Sequence, residues 1–172
     1  PMNVALRLTR LGAAVRFMSR VGCDEAGDAL VAYMASAGLA TGDVQRDALH
    51  ATGRVLVDLS HPTEARYTIV EPAAWDFIGA EGSACAATDE CPVVVFGSLA
   101  ARHARSRATL NRLLDSARLK VFDVNLRPPF IARDVIEPLL ARADWAKLNE
   151  DELQAIAGWH GWHGELEPLS RR

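Results

Sequence analysis

The sequence predicts an α/β fold, in which parallel strands alternate with helices and a single β-hairpin is added. The continuous apolar run at 93–96 is typical of a buried parallel strand, and shorter apolar runs lie within the next two predicted strands, 120–123 and 143–148; each strand precedes a predicted helix. Two β-branched segments at 54–59 and 65–70 flank a proline-containing turn, which predicts the hairpin. Polar residues come directly after each apolar run, where ligands bind in open parallel sheets.

The first fifty residues alternate helix, strand and helix. Residues 4–11 have apolar side chains at helical spacing, and Gly12 follows where that helix would end. Residues 14–22 predict a short strand. Asp24 is then a candidate N-cap for a second helix that runs to about Ala37 and ends before Gly38.

The pattern changes after Asp47, and the hairpin follows. The turn is predicted at 61–64, and the whole hairpin occupies 51–70, added to a body formed by 1–50 and 71–172. A hairpin alone is marginally stable in water, so we expect it to pack on another surface. Residues 79–92, rich in glycine, alanine, serine and acids, predict a surface loop.

The α/β alternation resumes after this loop. A helix is predicted at 104–117 with Leu110, Leu113 and Leu114 facing inward, and another at 134–143. Pro138 lies inside the second of these helices and predicts a kink or a break. The last helix is predicted to begin at Asn149.

Composition excludes several classes of protein. The 172 residues are 49% hydrophobic and carry a net charge of −3, which gives no electrostatic basis for binding nucleic acid or an anionic membrane. No apolar run approaches the roughly 20 residues that span a bilayer. We see no secretion signal, and we interpret Cys23, Cys85 and Cys91 as free thiols, so a cytoplasmic protein is expected. The Trp-His repeat at 159–163 does not have the spacing of a metal site.

Two polar motifs at strand ends carry the candidate chemistry. Asn149 and Glu152 are three residues apart at a helix start, so they could hold a hydrated divalent cation and place phosphate or water. The same spacing is typical of a capping box. Asp123, Asn125 and Arg127 alternate, so an extended backbone would point all three the same way and Arg127 could bind anionic oxygens. The alternative is a turn before Pro128-Pro129 with Arg127 in solvent.

The start of the chain resembles the first signature of the PfkB (ribokinase-like) carbohydrate kinases, which usually reads Gly-Gly-Ala-Pro-x-Asn-Val-Ala. The matching residues are Pro1-Met2-Asn3-Val4-Ala5, followed by Gly12 and Gly22. Further matches follow in order and at similar spacing: 22–27, Ala51-Thr52-Gly53, Gly97-Ser98-Leu99, the Asp-x-Asn-x-Arg segment and Asn-x-x-Glu. Residues 10–12 and Asn-Leu-Arg-Pro-Pro look most similar to the fructokinase branch.

The resemblance implies a partial ribokinase-like three-layer α/β/α sheet with a lid formed by the hairpin. It implies an ATP-dependent sugar kinase that uses Mg²⁺ and often forms a homodimer through the lid. Asn3, Asn125 and Arg127 match positions that bind substrate, although Asn3 could also cap helix 4–11. Asn149 and Glu152 match the element associated with phosphate and Mg²⁺, with Glu152 reaching the metal through water.

The chain also departs from the family pattern. The family's catalytic Asp, in a Gly-Ala-Gly-Asp element, is expected beyond Arg172, and the Ala26-Gly27-Asp28 sequence is too early to replace it. The adenine-binding segments, the first strand and its sugar-binding Asp are not matched either. We therefore expect the sugar-side half of a kinase site, inactive by itself. The alternatives are a non-catalytic relative that binds sugar or oligomerises, and an unrelated Rossmann-like domain. Fructose is favoured only by the branch resemblance; ribose, 2-keto-3-deoxygluconate and nucleosides remain open.

Overall fold

The computed structural model describes residues 1–58, 60, 66–81 and 93–162, and it has the predicted α/β organisation. The helices of the described chain are α1 (Met2–Arg10), α2 (Glu25–Ser36), α3 (Ala104–Ser116), α4 (Arg133–Arg142) and α5 (Glu150–Trp159). The strands are β1 (Ser19–Gly22), β2 (Val44–Asp47), β3 (Val55–Asp58), β4 (Arg66–Ile69), β5 (Val93–Gly97), β6 (Leu119–Asp123) and β7 (Trp145–Lys147). Short 3₁₀ helices occupy Ala74–Phe77 and Ser98–Ala101.

The largest sheet of the described chain is parallel, in the order β5-β6-β7, and α3 and α4 connect its successive strands. Phe96 pairs with Phe122, and their rings stack with centroids 4.8 Å apart. Leu114 from α3 and Ile136 from α4 are fully buried beside them. Burial of side chains of this size contributes about 1.5–3 kcal/mol each, so this cluster holds β5, β6 and their helices together.

A second parallel pair, β1 with β2, has its own core against α1 and α2. Ala5, Leu6, Met34 and Leu39 are buried in it. Sequence reasoning missed β2, because Val44-Gln45-Arg46-Asp47 is mostly polar. The polar side chains are used locally: the Gln45 amide donates to the Gly79 carbonyl at 2.8 Å, and Asp47 is buried against Arg20 at 2.7 Å.

The predicted cap of α2 is confirmed. The Asp24 carboxylate accepts the Gly27 N–H at 2.8 Å, and it also accepts the Thr52 hydroxyl at 2.6 Å and the Thr52 N–H at 2.9 Å. Gly38 follows the helix with a φ of 81°, a conformation that costs glycine little. One carboxylate therefore joins the start of α2 to the segment that leads into the hairpin.

The structure contradicts the cap predicted at Asn3 and the break, though not the kink, predicted at Pro138. Asn3 does not cap α1, because the helix begins at Met2 with Pro1 in the cap position, and the first helical bond runs from the Ala5 N–H to the Pro1 carbonyl at 2.9 Å. Pro138 does not break α4, which is continuous from Arg133 to Arg142. A proline removes one backbone hydrogen bond, and burial of Ile136 and Leu139 on either side offsets that loss.

The hairpin is confirmed as an antiparallel pair, with Val55 opposite Ile69 and Asp58 opposite Arg66. Its turn at 61–64 and most of the 79–92 segment lie outside the described residues, as do Cys85 and Cys91. The expected packing partner is not present in the described chain, because Val55, Leu56 and Val57 are all at least half exposed. No helix within the described ranges is long and apolar enough to cross a membrane. The limits 51–70 for the hairpin unit stay a prediction.

Candidate functional site

The carboxyl ends of three parallel strands lie side by side, as the sequence predicted. Gly97, Asp123 and Lys147 are in register across β5, β6 and β7, so the residues that follow them emerge at one edge of the sheet. The Ser98 hydroxyl donates to the Asn125 carbonyl at 3.2 Å and joins two of these ends. The start of α1 reaches the same edge, since a Cβ placed on Gly97 would lie 3.9 Å from Pro1 Cγ.

The segment after β6 is not extended, so of the two sequence-based interpretations the structure has the turn with Arg127 exposed. Asn125 has a φ of 45°, in the left-handed region that asparagine tolerates better than most residues. Burial still alternates, with Val124 and Leu126 inside and Arg127 exposed. A turn then closes with the Phe130 N–H donating to the Arg127 carbonyl at 2.8 Å. The polar row is therefore bent at Asn125 and is not a straight line of side chains.

Glu152 holds the two motifs together. Its side chain is buried, and Oε1 accepts the Leu126 N–H at 2.9 Å while Oε2 accepts the Asn149 N–H at 3.0 Å. The Asn149 amide oxygen accepts the Glu152 N–H at 2.8 Å in return, which completes a capping box at the start of α5. The capping interpretation of Asn-x-x-Glu is thus confirmed, and the same carboxylate also fixes the bend after β6.

The oxygens of Glu152 and its neighbours are not arranged to bind Mg²⁺ directly. Both Glu152 oxygens already accept backbone N–H groups, and no group of three potential ligands occurs among the described residues. A role for Glu152 through water stays a prediction. The first turn of α5 carries three carboxylates, at Glu150, Asp151 and Glu152, which favours a hydrated cation there over a bare phosphate.

Lys147 is a further cation at this edge, which sequence reasoning missed. Its ammonium group is 2.8 Å from Asp123 Oδ1, and the hydrogen bond with that carboxylate raises the pKa of Lys147. The Lys147 carbonyl accepts the Val124 N–H at 3.0 Å, which continues the pairing of β6 with β7. Only the register of β6 against β7 reveals this pair, and a single sequence does not give that register.

Arg127, Asn3 and Asn149 are the exposed members of the predicted set, and the first two do not take part in the capping box. Arg127 Nη1 donates to the Leu126 carbonyl at 3.0 Å, while the residue as a whole is exposed beside the strand ends. Asn3 is exposed in the first turn of α1. The structure therefore brings Asn125, Arg127, Asn149 and Glu152 into one connected group and places the α1 turn that carries Asn3 at the same edge.

Comparison with known proteins agrees with the resemblance that the sequence motifs showed. Residues 1–168 match the profile of the pfkB family carbohydrate kinases. A fructokinase of Klebsiella pneumoniae is 32% identical over 166 residues, which are 92% of this chain and 54% of that protein. The chain spans about half the length of the curated relatives it matches.

Solved structures are similar over the same region. The crystal structure of fructokinase from Xylella fastidiosa with bound ATP has a TM-score of 0.84 and 26% identity, covering 94% of this chain and 52% of that chain. An uncharacterized sugar kinase from Pyrococcus horikoshii in complex with ATP has a TM-score of 0.83 and 26% identity, covering 93% and 56%. The predicted fold class, a partial ribokinase-like α/β/α sheet with a β-hairpin, is confirmed.

Proposed function

The chain belongs to the pfkB family of carbohydrate kinases, and we propose that it forms the sugar-side part of an ATP-dependent kinase that phosphorylates a sugar hydroxyl. Fructose is the favoured acceptor, because relatives named fructokinase are among the most similar proteins. The proposal applies to a protein that contains these 172 residues together with the region corresponding to the other half of its relatives.

The observation that carries the proposal is the connection between the two strand-end motifs. The Glu152 carboxylate bonds to the backbone of both, so that Asn125 and Arg127 are held beside the start of α5. A polar edge built in this way is suited to an acceptor with several hydroxyl groups and to the phosphate that is transferred to it.

Each side chain receives a proposed role from its chemistry. The amides of Asn3 and Asn125 would bind sugar hydroxyls, since an amide can both donate and accept. The exposed Arg127 guanidinium would bind phosphate oxygens, assisted by Lys147. Mg²⁺ carried by ATP would neutralise phosphate charge, and Asn149 and Glu152 would contact it only through its waters. The general base is expected outside residues 1–172.

The test is phosphorylation by the protein encoded by the complete reading frame. Incubation with ATP, Mg²⁺ and one sugar at a time, followed by detection of ADP and the sugar phosphate, should show turnover with fructose and little without sugar. The 172-residue chain alone should form no sugar phosphate. Absence of sugar-dependent ADP formation by the full protein with every sugar tested would refute the proposal.

A second candidate, a non-catalytic oligomerising module, is favoured by the exposed hairpin. Val55, Leu56, Val57 and Tyr67 are between 50% and 68% exposed, which is unusual for strand residues of this type. A homodimer through this hairpin is compatible with either function. The kinase assay distinguishes the two functions, because only a catalytic protein forms sugar phosphate.

A further inference from the structure

The hairpin is largely exposed along its strands, but the body of the protein holds both of its ends. The Val70 N–H donates to the Arg54 carbonyl at 3.0 Å and closes the base of the hairpin. The Val70 carbonyl accepts from Arg102 Nη2 at 3.2 Å. Before the first strand, Gly53 lies so close to the indole of Trp75 that a Cβ placed on it would be 2.6 Å from Trp75 Cδ1. Each strand is therefore held where it meets the body.

Trp75 and Arg102, which hold the two ends, form one unit. The Arg102 guanidinium carbon lies 4.0 Å from the centre of the Trp75 ring. Only 6% of the Arg102 side chain is exposed, and it binds Asp76 in two places, from Nε to Oδ1 and from Nη2 to Oδ2, each at 2.6 Å. A planar cation that is stacked on a ring and bonded twice to a carboxylate has little freedom to turn. A displacement of either residue therefore affects the contacts with both strands.

The same unit contacts the strand-end site. The Arg102 guanidinium carbon lies 4.5 Å from the centre of the Phe130 ring, and the Phe130 N–H closes the turn by donating to the Arg127 carbonyl at 2.8 Å. Residues 71–72, directly after the hairpin, line one cavity with Arg102 and Phe130. A continuous row of contacts therefore connects the turn that carries Arg127 with both strands of the hairpin.

We propose that Trp75 and Arg102 are positioning residues for the kinase reaction. They act through Gly53 and Val70 to fix the hairpin against the strand-end turn, and the fixed hairpin sets the affinity for the acceptor sugar. Only molecules whose hairpin is correctly placed bind the sugar well, so the apparent dissociation constant rises as the fraction of such molecules falls. This assignment rests on the proposed kinase function and adds to it two residues that act without touching the reacting atoms.

Gly53→Ala in the full-length protein is the test. The φ of Gly53 is outside the left-handed region, so the backbone accepts alanine, but the added methyl group pushes against an indole that Arg102 holds in place. The KM for the sugar, with fructose as the expected substrate, should rise roughly three- to tenfold, and the KM for ATP should stay within about twofold. A variant that is merely less stable has less active protein, which lowers kcat and leaves both KM values unchanged.

Gly42→Ala is the matched control. Gly42 is exposed in a turn, its φ is also outside the left-handed region, and a Cβ added to it has no atom within 4 Å among the described residues. Both KM values and kcat should therefore match those of the wild type.

Arg102→Lys is a second variant, and it decides the question if Gly53→Ala does not fold. Lysine keeps a cation for Asp76 but cannot offer the planar fork or lie flat on the rings, so the KM for fructose should again rise several-fold. Since both substitutions act on one unit, the double variant should raise that KM by less than the product of the two single effects. An unchanged KM for fructose in either folded variant, or effects that multiply in the double variant, would overturn the positioning role while leaving the kinase function intact. A full-length protein that phosphorylates no sugar would overturn both.

Discussion

Glu152 is the residue on which the architecture of the site depends most directly. Both of its oxygens accept backbone N–H groups in a buried position. Glu152→Gln replaces one oxygen with an amide that cannot accept, so a buried N–H loses its partner. We expect a loss of about 1–3 kcal/mol in the free energy of unfolding, measured by urea denaturation of the 172-residue chain. Glu150→Gln, in the same turn but exposed, should change it by no more than about 0.5 kcal/mol. Equal midpoints for the two variants would contradict this role.

Asp24 gives the protein an acid-sensitive contribution to stability. Hydrogen bonds from the Thr52 hydroxyl, the Thr52 N–H and the Gly27 N–H lower the pKa of Asp24 to about 2, from an ordinary value of 3.8. A lowered pKa stabilises the folded state above the ordinary value, and the contribution disappears as the pH falls towards the folded value. Asp24→Asn retains a capping oxygen but has no charge to titrate.

The thermal midpoint of Asp24→Asn should therefore lie below that of the wild type at neutral pH, with the difference shrinking between pH 3.8 and about 2. Thermal unfolding followed by circular dichroism across that range measures it. Glu25→Gln is the control, and it should follow the wild-type profile. A difference between Asp24→Asn and the wild type that stays constant as the solution is acidified would show that the charge of Asp24 does not matter.

At the scale of elements, the hairpin has consecutive apolar residues that nothing in the described chain covers. Val57 pairs with Tyr67, so these two side chains share one face, whereas Leu56 belongs to the opposite face with Thr68. Tyr67 is 68% exposed, and aromatic residues are enriched at the centres of interfaces. We therefore assign the proposed dimer contact to the Tyr67 face.

Tyr67→Lys should weaken self-association by at least about tenfold, because it places a charge in an apolar contact, whereas Leu56→Lys on the other face should have little effect. Sedimentation equilibrium of the two variants and the wild type is the measurement. Both substitutions are at exposed positions, so the unfolding midpoints should stay close to that of the wild type. Two variants that associate equally, or a monomeric wild type, would refute the assignment.

The elements that sequence reasoning found are those whose apolar pattern is strong, and the ones it missed depend on tertiary contacts. The run at 93–96 and the leucines of α3 predicted β5 and its helix directly. β2 was missed because its polar residues are satisfied by distant partners, such as Gln45 by Gly79. The turn before Pro128-Pro129 was one of two alternatives, and the sequence could not choose between them because the Leu126 N–H bonds to a carboxylate 26 residues away.

At the scale of the whole molecule, the proposed sugar-binding edge is held together by bonds between the strand ends. The ends of β5 and β6 are joined by Ser98, and the end of β6 is joined to α5 by Glu152. These bonds lie within residues 1–172. If they are sufficient to hold Asn125 in place, the 172-residue chain should bind its sugar without ATP, even though it should not phosphorylate it.

Sugar binding by this chain should therefore raise its thermal midpoint. A ligand at a hundred times its dissociation constant stabilises the folded state by about 2.7 kcal/mol, which corresponds to a shift of roughly 5–10 °C for a domain of this size. Asn125→Gly is the informative variant, because glycine accepts a positive φ while the amide is lost. It should unfold near the wild-type midpoint without sugar and lose most of the shift with fructose.

Asn111→Ala is the control. It changes an amide that accepts from Arg142, away from the strand ends, so its fructose shift should match the wild type even if it unfolds earlier. A fructose shift that survives in Asn125→Gly would place the sugar elsewhere. A wild-type chain that no sugar stabilises would mean that the strand-end edge needs the other half of the kinase before it can bind.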